Sequence, residues 1–217
     1  LILSRVMERI IVTRYLYPAL QACPPHLYLK DQFAFRPYGS TTSAVITLIS
    51  KVTTMLATND YVRVIALDFS KAFDTVSHLT LFEKLLSYNL PDNIYNWLVD
   101  FFLHRSHVTR FNNLTSQPAS ITSSVVQGSA IGPAAFIINA SDLRPTTAGN
   151  DMVKFADDTY ILIPASNQLS SEAELRHVSS WADHNNLKLN ISKSIEIIFR
   201  VRRSHSHLPP LLPGLPR

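Results

Sequence analysis

One cysteine, Cys23, stands in a chain of 217 residues, which excludes an internal disulfide framework and any Cys-cluster zinc site and fits a reducing compartment. Long apolar runs are lacking too. No stretch could span a bilayer, and no small-residue cleavage site follows residues 1–20, so an intracellular, soluble protein with no membrane partner is expected. Eight histidines are scattered without a His-x-x-x-His pair, and none reads as a zinc ligand. There is no internal repeat. Glycine is scarce, five in all, yet Gly128 and Gly132 fall within the single heptapeptide Gln127-Gly128-Ser129-Ala130-Ile131-Gly132-Pro133, which points to backbone that approaches something closely. Excess charge is small: 20 Lys and Arg against 16 Asp and Glu, a net +4 that supports a polyanionic partner without demonstrating one.

What is present is 46% hydrophobic content, enough for a sizeable core. The chain begins at Leu1, inside an amphipathic pattern, and a fragment is expected. Residues 1–20 read as a helix stopped near Pro18. A helix capped at Ser40 or Thr41 runs to about Thr58, with Val45, Leu48, Ile49, Val52 and Leu56 as its buried side. Tyr61 to Leu67 reads as a strand, Leu79 to Tyr88 and Asp92 to Leu103 as helices, and His107–Phe111 with Ser120–Val126 as a strand pair turning at Asn112-Asn113. A helix starts at Pro133 and continues to about Leu143. A hairpin follows, then a helix from Ser171 to about Asn185 and strands at 187–189 and 195–199. The class is α+β, with a sheet and helices packed on one side of it. Residues 200–217 form a basic, Pro-rich tail, expected to be extended or poorly ordered.

The hairpin carries the chemistry. Apolar runs flank Asp157-Asp158 and place both acids at its tip, while a lone acid, Asp68, ends the strand Val64-Ile65-Ala66-Leu67. Three carboxylates on strand ends suit two divalent cations about 3.5–4 Å apart, which can activate an attacking oxygen and stabilise a leaving one in phosphoryl transfer. Taken alone, Asp157-Asp158 reads as a solvated turn; Asp68 and the glycine loop in register tip the balance.

Five blocks occur in order: Phe33-Ala34-Phe35-Arg36 with Ser40-Thr41; Leu67-Asp68-Phe69-Ser70-Lys71-Ala72-Phe73-Asp74; Gln127 to Pro133; Lys154-Phe155-Ala156-Asp157-Asp158-Thr159; and Leu189-Asn190-Ile191-Ser192-Lys193-Ser194. With them the chain resembles the reverse transcriptase of non-LTR, LINE-like, jockey-type retrotransposons over nearly its whole length. The resemblance implies a right-hand polymerase fold: a partial fingers segment at 1–60, a palm with inserted fingers elements at 61–199, and a mainly antiparallel palm sheet backed by helices. It also implies that upstream fingers, primer grip, thumb and endonuclease lie outside this sequence. Asp68, Asp157 and Asp158, with the Phe69 carbonyl, would hold two Mg²⁺, or Mn²⁺ in their place. Phe73 would exclude a 2′-hydroxyl, Gln127, Gly128 and Ser129 would line the nucleotide pocket and template, and Arg36 and Lys193 would neutralise triphosphate or template. The implied partners are an RNA template, a DNA primer, deoxynucleoside triphosphates and the element RNA in a ribonucleoprotein, in nucleus or cytoplasm. Val126 stands where the family has proline, and Ala135 where it has a larger apolar residue.

Blander readings compete. Phe73, Trp97, Phe101, Phe102 and Trp181 alone read as core, Asp74 as a cap for the helix after Ser77 or the partner of a basic neighbour, and Arg200, Arg202 and Arg203 as a solvated strand end or a nucleic-acid contact. His205 and His207 read as solvated. Two other functions stand beside reverse transcription: an inactive, nucleic-acid-binding remnant of a mobile element, against which the intact acid triad argues, and an RNA-copying RNA polymerase, which Phe73 and the Gln-Gly-Ser loop disfavour.

Overall fold

The computed structural model describes residues 2–22, 24–27, 29–201 and 208–217; Cys23, Arg202, Arg203, His205 and His207 lie outside them. α1 (Ile2–Ile11) opens the chain, and Pro18 does not end the helix as expected. Five residues of π-helix, Val12–Leu16, intervene before α2 (Tyr17–Gln21), so Pro18 falls in the first turn of a new α segment, where a missing N–H costs little. α3 (Thr41–Leu56) starts at the expected cap, Ser40 Oγ accepting from the Ser43 N–H at 3.0 Å. Its buried side differs from expectation. Ala44 and Val52 are buried and Leu48, Met55 and Leu56 partly so, while Val45 and Ile49 are 54% and 47% exposed. Both stripes have helical spacing, and the one carrying the small Ala44 packs against the sheet.

β1 (Tyr61–Leu67), β2 (Phe69–Ser70) and α4 (Ala72–Thr75) follow, then α5 (His78–Leu86), capped by Ser77, and α6 (Asp92–Phe102). The expected strand pair is instead two short ladders, β3 (Ser106–His107) with β6 (Ala119–Ser120) and β4 (Arg110–Phe111) with β5 (Leu114–Thr115). Asn112 and Asn113 make the turn, both at positive φ. Beyond Ser120 the backbone leaves the ladder: Ser124 N–H donates to the Val76 carbonyl and Val125 N–H to that of Phe73, each at 2.8 Å. α7 (Ile131–Asn139) starts two residues before Pro133, where Ser129 Oγ accepts from the Gly132 N–H at 2.9 Å and satisfies the first turn, and it stops short of Leu143. The remaining elements are β7 (Asp151–Phe155), β8 (Asp158–Pro164), α8 (Ser171–His184), β9 (Lys188–Leu189) and β10 (Ile195–Arg200).

The chain divides into two compact units. One comprises residues 29–72 and 141–217 and is built on an antiparallel sheet of order β10-β1-β8-β7. Helices were expected on one side only, but both faces are covered. Val62 and Val64 join the α3 cluster, whereas Arg63, on the opposite face, donates to Ser171 Oγ at the start of α8 and to the Pro210 carbonyl. The unbroken apolar character of β1 fits this two-sided burial. The tail adds a detail the composition did not suggest. Residues 208–217 lack regular structure, yet Leu212 and Leu215 are buried and the Glu196 N–H donates to the Pro216 carbonyl at 2.8 Å, so the segment satisfies part of the open edge of β10.

Glu174 on α8 fastens the loop before β7. Its buried carboxylate accepts from the N–H groups of Thr146 and Thr147 and from Asn150 Nδ2 at 2.8–3.1 Å. Burial pushes its pKa up, but these hydrogen bonds outweigh it and the net shift is downward. A lowered carboxyl contributes stability that is present above its unfolded pKa and lost as pH falls through its folded one. Glu174→Gln is therefore expected to cost about 1–3 kcal/mol in urea unfolding at pH 7, with the difference closing in acid.

The other unit comprises residues 1–28 and 73–140. Leu81, Leu85, Ile94, Leu98 and Phe102 from α5 and α6 are buried, as is nearly every residue of α7. Trp97 and Phe101, read as core, are only half-buried and stack at 5.5 Å. Among the described residues no helix is long and apolar enough to cross a membrane.

Candidate active site

The acid pair sits one residue differently from its expected place at the hairpin tip. Phe155 pairs with Asp158, so Ala156 and Asp157 form the two-residue turn and Asp158 is the first residue of β8. On the other side of β8 the ladder with β1 ends at Leu67 opposite Thr159; Asp68 follows Leu67 and Asp158 precedes Thr159. Three carboxylates thus come from the adjoining ends of neighbouring strands in one unit. Burial, and then the charges of Asp157 and Asp68, push the Asp158 carboxyl above its ordinary pKa. Among the described residues, no Lys or Arg pairs with any of the three.

Asp68 is held by its backbone from both sides. Its N–H donates to Ser194 Oγ at 3.1 Å, its carbonyl accepts from the Asn190 N–H at 2.8 Å, and Ser194 Oγ donates to the Asn190 carbonyl at 2.8 Å. The next residue, Phe69, pairs with Leu189, and its ring meets the edge of Trp181 at 6.2 Å. The fifth sequence block therefore braces the second. Lys193 lies exposed on the bracing turn. Arg36, in the same unit, gives one guanidinium nitrogen to the carbonyls of Leu29 and Gln32. Ser194 matters to this geometry, yet it carries neither a charge nor a periodic signal; only its place inside the fifth block could have drawn attention to it.

The rest of the expected set lies in the other unit. The Phe73 ring stacks on Phe136 of α7 at 4.3 Å, which ties the α4 end of the second block to the helix after the glycine loop. Asp74 does not cap α5, a task Ser77 performs, and among the described residues no ion pair links it to a basic group; it accepts from Gln127 Nε2 at 2.8 Å. The loop is also held from α1, where buried Glu8 accepts from the Ala130 N–H at 2.9 Å. Close approach explains Gly132, where an added Cβ would sit 2.8 Å from the Val126 carbonyl oxygen. Gly128 differs: a Cβ there meets nothing within 4 Å, and glycine suits it because φ is +78°.

Among the described residues no three His, Cys, Asp or Glu side chains are gathered into a ready metal cage. The donor chemistry nonetheless fits a hard divalent cation, since carboxylate oxygens are its preferred ligands and three neighbouring acids with no cationic partner among the described residues call for neutralisation.

An antiparallel sheet with coupled acids at adjoining strand ends, backed by helices, defines a polymerase palm with finger elements. Telomerase from Candida tropicalis, in complex with a TWJ fragment of telomeric RNA, shares this fold with a TM-score of 0.68 at 12% identity, over 94% of this chain and 34% of that one. The apo telomerase of the same organism gives 0.66 at 11%, over 89% and 37%. Residues 1–201 match the family "Reverse transcriptase (RNA-dependent DNA polymerase)", and the chain belongs to that family. Among its relatives in Drosophila melanogaster are the probable RNA-directed DNA polymerase from transposon X-element, 26% identical over 211 residues, and the RNA-directed DNA polymerase from mobile element jockey, 26% identical over 213. These alignments cover 93% and 92% of the chain but 23% of each relative. The jockey-type resemblance read from the five blocks is borne out.

Proposed function

We propose that this chain is the nucleotidyl-transferring part of an RNA-directed DNA polymerase of a mobile element, extending a DNA primer with deoxynucleotides along an RNA template. One observation carries the reading: three carboxylates gathered at the adjoining ends of β1 and β8, where burial and then the charges of Asp157 and Asp68 push the Asp158 carboxyl above its ordinary pKa. Asp68, Asp157 and Asp158, with the Phe69 carbonyl, would hold two Mg²⁺, or Mn²⁺. When bound, such ions lower the pKa of the primer hydroxyl and neutralise the triphosphate. The chain itself supplies positioning: the Asn190–Ser194 turn fixes Asp68, and Asp74 and Glu8 fix the loop Gln127-Gly128-Ser129, which would lie against template and nucleotide. Phe73, backed by Phe136, would exclude a 2′-hydroxyl. Arg36 and Lys193 would meet the triphosphate or template. The division into fingers at 1–60 and palm at 61–199, and a ribonucleoprotein with the element RNA in nucleus or cytoplasm, belong to the same reading.

The test is primer extension on an RNA template by purified 1–217 with Mg²⁺ and deoxynucleotides, beside Asp157→Asn. Extension that disappears in the variant supports the reading. Extension that survives the substitution overturns it.

A further inference from the structure

The turn that presents the acid pair is strained. Ala156, with no glycine's freedom, holds φ at +57°, a left-handed conformation that L-residues seldom adopt. The two-residue hairpin turn itself calls for positive φ at its first residue, a place glycine or asparagine would ordinarily take. At Ala156 the support comes from 124 positions away. Gln32 Oε1 accepts from the Ala156 N–H at 2.9 Å, and Gln32 Nε2 donates to the Ala156 carbonyl at 3.2 Å, so one carboxamide engages both backbone groups of the strained residue. The amide is itself fixed, because Oε1 also accepts from the Ala34 N–H at 2.9 Å, and Gln32 has no exposed surface.

The segment around Gln32 is anchored to the sheet independently of this contact. Lys154 N–H donates to the Asp31 carbonyl at 2.6 Å and Phe33 N–H to the Lys154 carbonyl at 2.9 Å, a parallel bridge along the edge of β7. Below it, Lys154 Nζ lies 3.1 Å from Asp31 Oδ2, and Arg36 donates to the Gln32 carbonyl at 3.0 Å. Backbone pairing and the ion pair would hold residues 31–33 in place with any side chain at 32. What the carboxamide adds is specific to Ala156.

We infer that Gln32 is a positioning residue for the acid pair, its carboxamide holding the Ala156-Asp157 turn in the one backbone geometry that presents Asp157 and Asp158 together. The inference rests on the proposed role of those acids as metal ligands. A buried amide that engages the backbone next to a ligand acts as an outer-shell partner does, and loss of such partners lowers metal affinity about 10- to 100-fold.

The experiment measures Mn²⁺ binding by electron paramagnetic resonance, with no nucleotide present, for the purified chain and for Gln32→Met, Gln32→Asn, Asp31→Asn and Asp157→Asn. Backbone amide exchange at Ala156 is followed in the same samples. Both Gln32 variants are expected to bind Mn²⁺ about 10- to 100-fold more weakly and to exchange the Ala156 amide faster. Asp31→Asn, which loosens the same segment without touching the carboxamide, should keep the affinity of the unsubstituted chain. Gln32 variants that remain folded with unchanged affinity and unchanged exchange overturn the inference, as does an equal weakening in Asp31→Asn. If neither variant folds, a freely exchanging Ala156 amide in the unsubstituted chain overturns it and a protected one supports it. Should the unsubstituted chain and Asp157→Asn bind Mn²⁺ alike, the metal reading falls on its own, and the exchange of Ala156 in the Gln32 variants decides whether the turn depends on the carboxamide.

Discussion

Asp158→Asn is expected to reduce RNA-templated extension by roughly 10³-fold while making the metal-free protein more resistant to heat. The two effects share one cause. Without cations the Asp158 carboxylate is held at a cost, through partial burial and then through Asp157 and Asp68, and its pKa is raised. A carboxyl raised on folding contributes stability that is fully present below its unfolded pKa and lost as pH rises through the folded one, so near neutrality the cost is unrelieved. Asparagine removes the charge and the cost together. Because Asp158 is exposed, water screens much of the repulsion, and the gain in melting temperature in EDTA should be only about 1–2 °C. Mg²⁺ at ten times its dissociation constant adds roughly 1.4 kcal/mol to the unsubstituted protein; the variant should show much less. Thermal unfolding with EDTA and with Mg²⁺, beside extension assays, reads both effects. A variant less stable than its parent in EDTA would show that Asp158 carries a structural role in place of an electrostatic cost.

The acids' place was legible to within one residue because Met152–Phe155 and Thr159–Ile163 put Asp157-Asp158 at or beside a turn, and because Val64–Leu67 ends in Asp68 just as a buried strand meets solvent. What could not be read was whatever depends on partners distant in sequence. Ala156 as a turn residue carries no local signal, since glycine or asparagine would be usual at its positive φ and the carboxamide that bonds both its backbone groups lies 124 residues away. Asp74 has the sign of a catalytic acid or a cap, and only the folded loop reveals Gln127 as its partner. The α3 stripe through Val45 and Ile49 and the stripe through Ala44 and Val52 are equally periodic, and periodicity cannot tell which one a sheet covers. Pro18 signals a stop that a π-helical segment circumvents.

Glu196→Ala should destabilise the chain by about 3–5 kcal/mol, the largest loss expected from one substitution away from the acids. Glu196 sits at 0% side-chain exposure on β10 and Arg63 at 4% on β1, paired at 3.0 Å. Around them Arg63 also donates to Ser171 Oγ and the Pro210 carbonyl, while Glu196 accepts from Arg217 at 2.7 Å and from the Leu212 N–H at 3.3 Å. Removing the carboxylate leaves a buried guanidinium without its counter-ion, and in a domain of this size the loss should lower the melting temperature by roughly 6–20 °C. Arg217→Ala, by contrast, removes a partner that is 27% exposed and should cost about 1 kcal/mol or less. Replacing both members, Arg63→Met with Glu196→Leu, should recover most of the loss, because a buried ion pair contributes little beyond what an apolar pair of similar volume would. The pair lies near the start of β1, and Asp68 follows the end of that strand. Extension measured well below the lowered melting temperature should therefore stay within about twofold of the parent. A loss under 1 kcal/mol for Glu196→Ala would mean that residues 208–217 do not close over β10 in solution, since they supply three of the pair's hydrogen-bond partners and part of its cover.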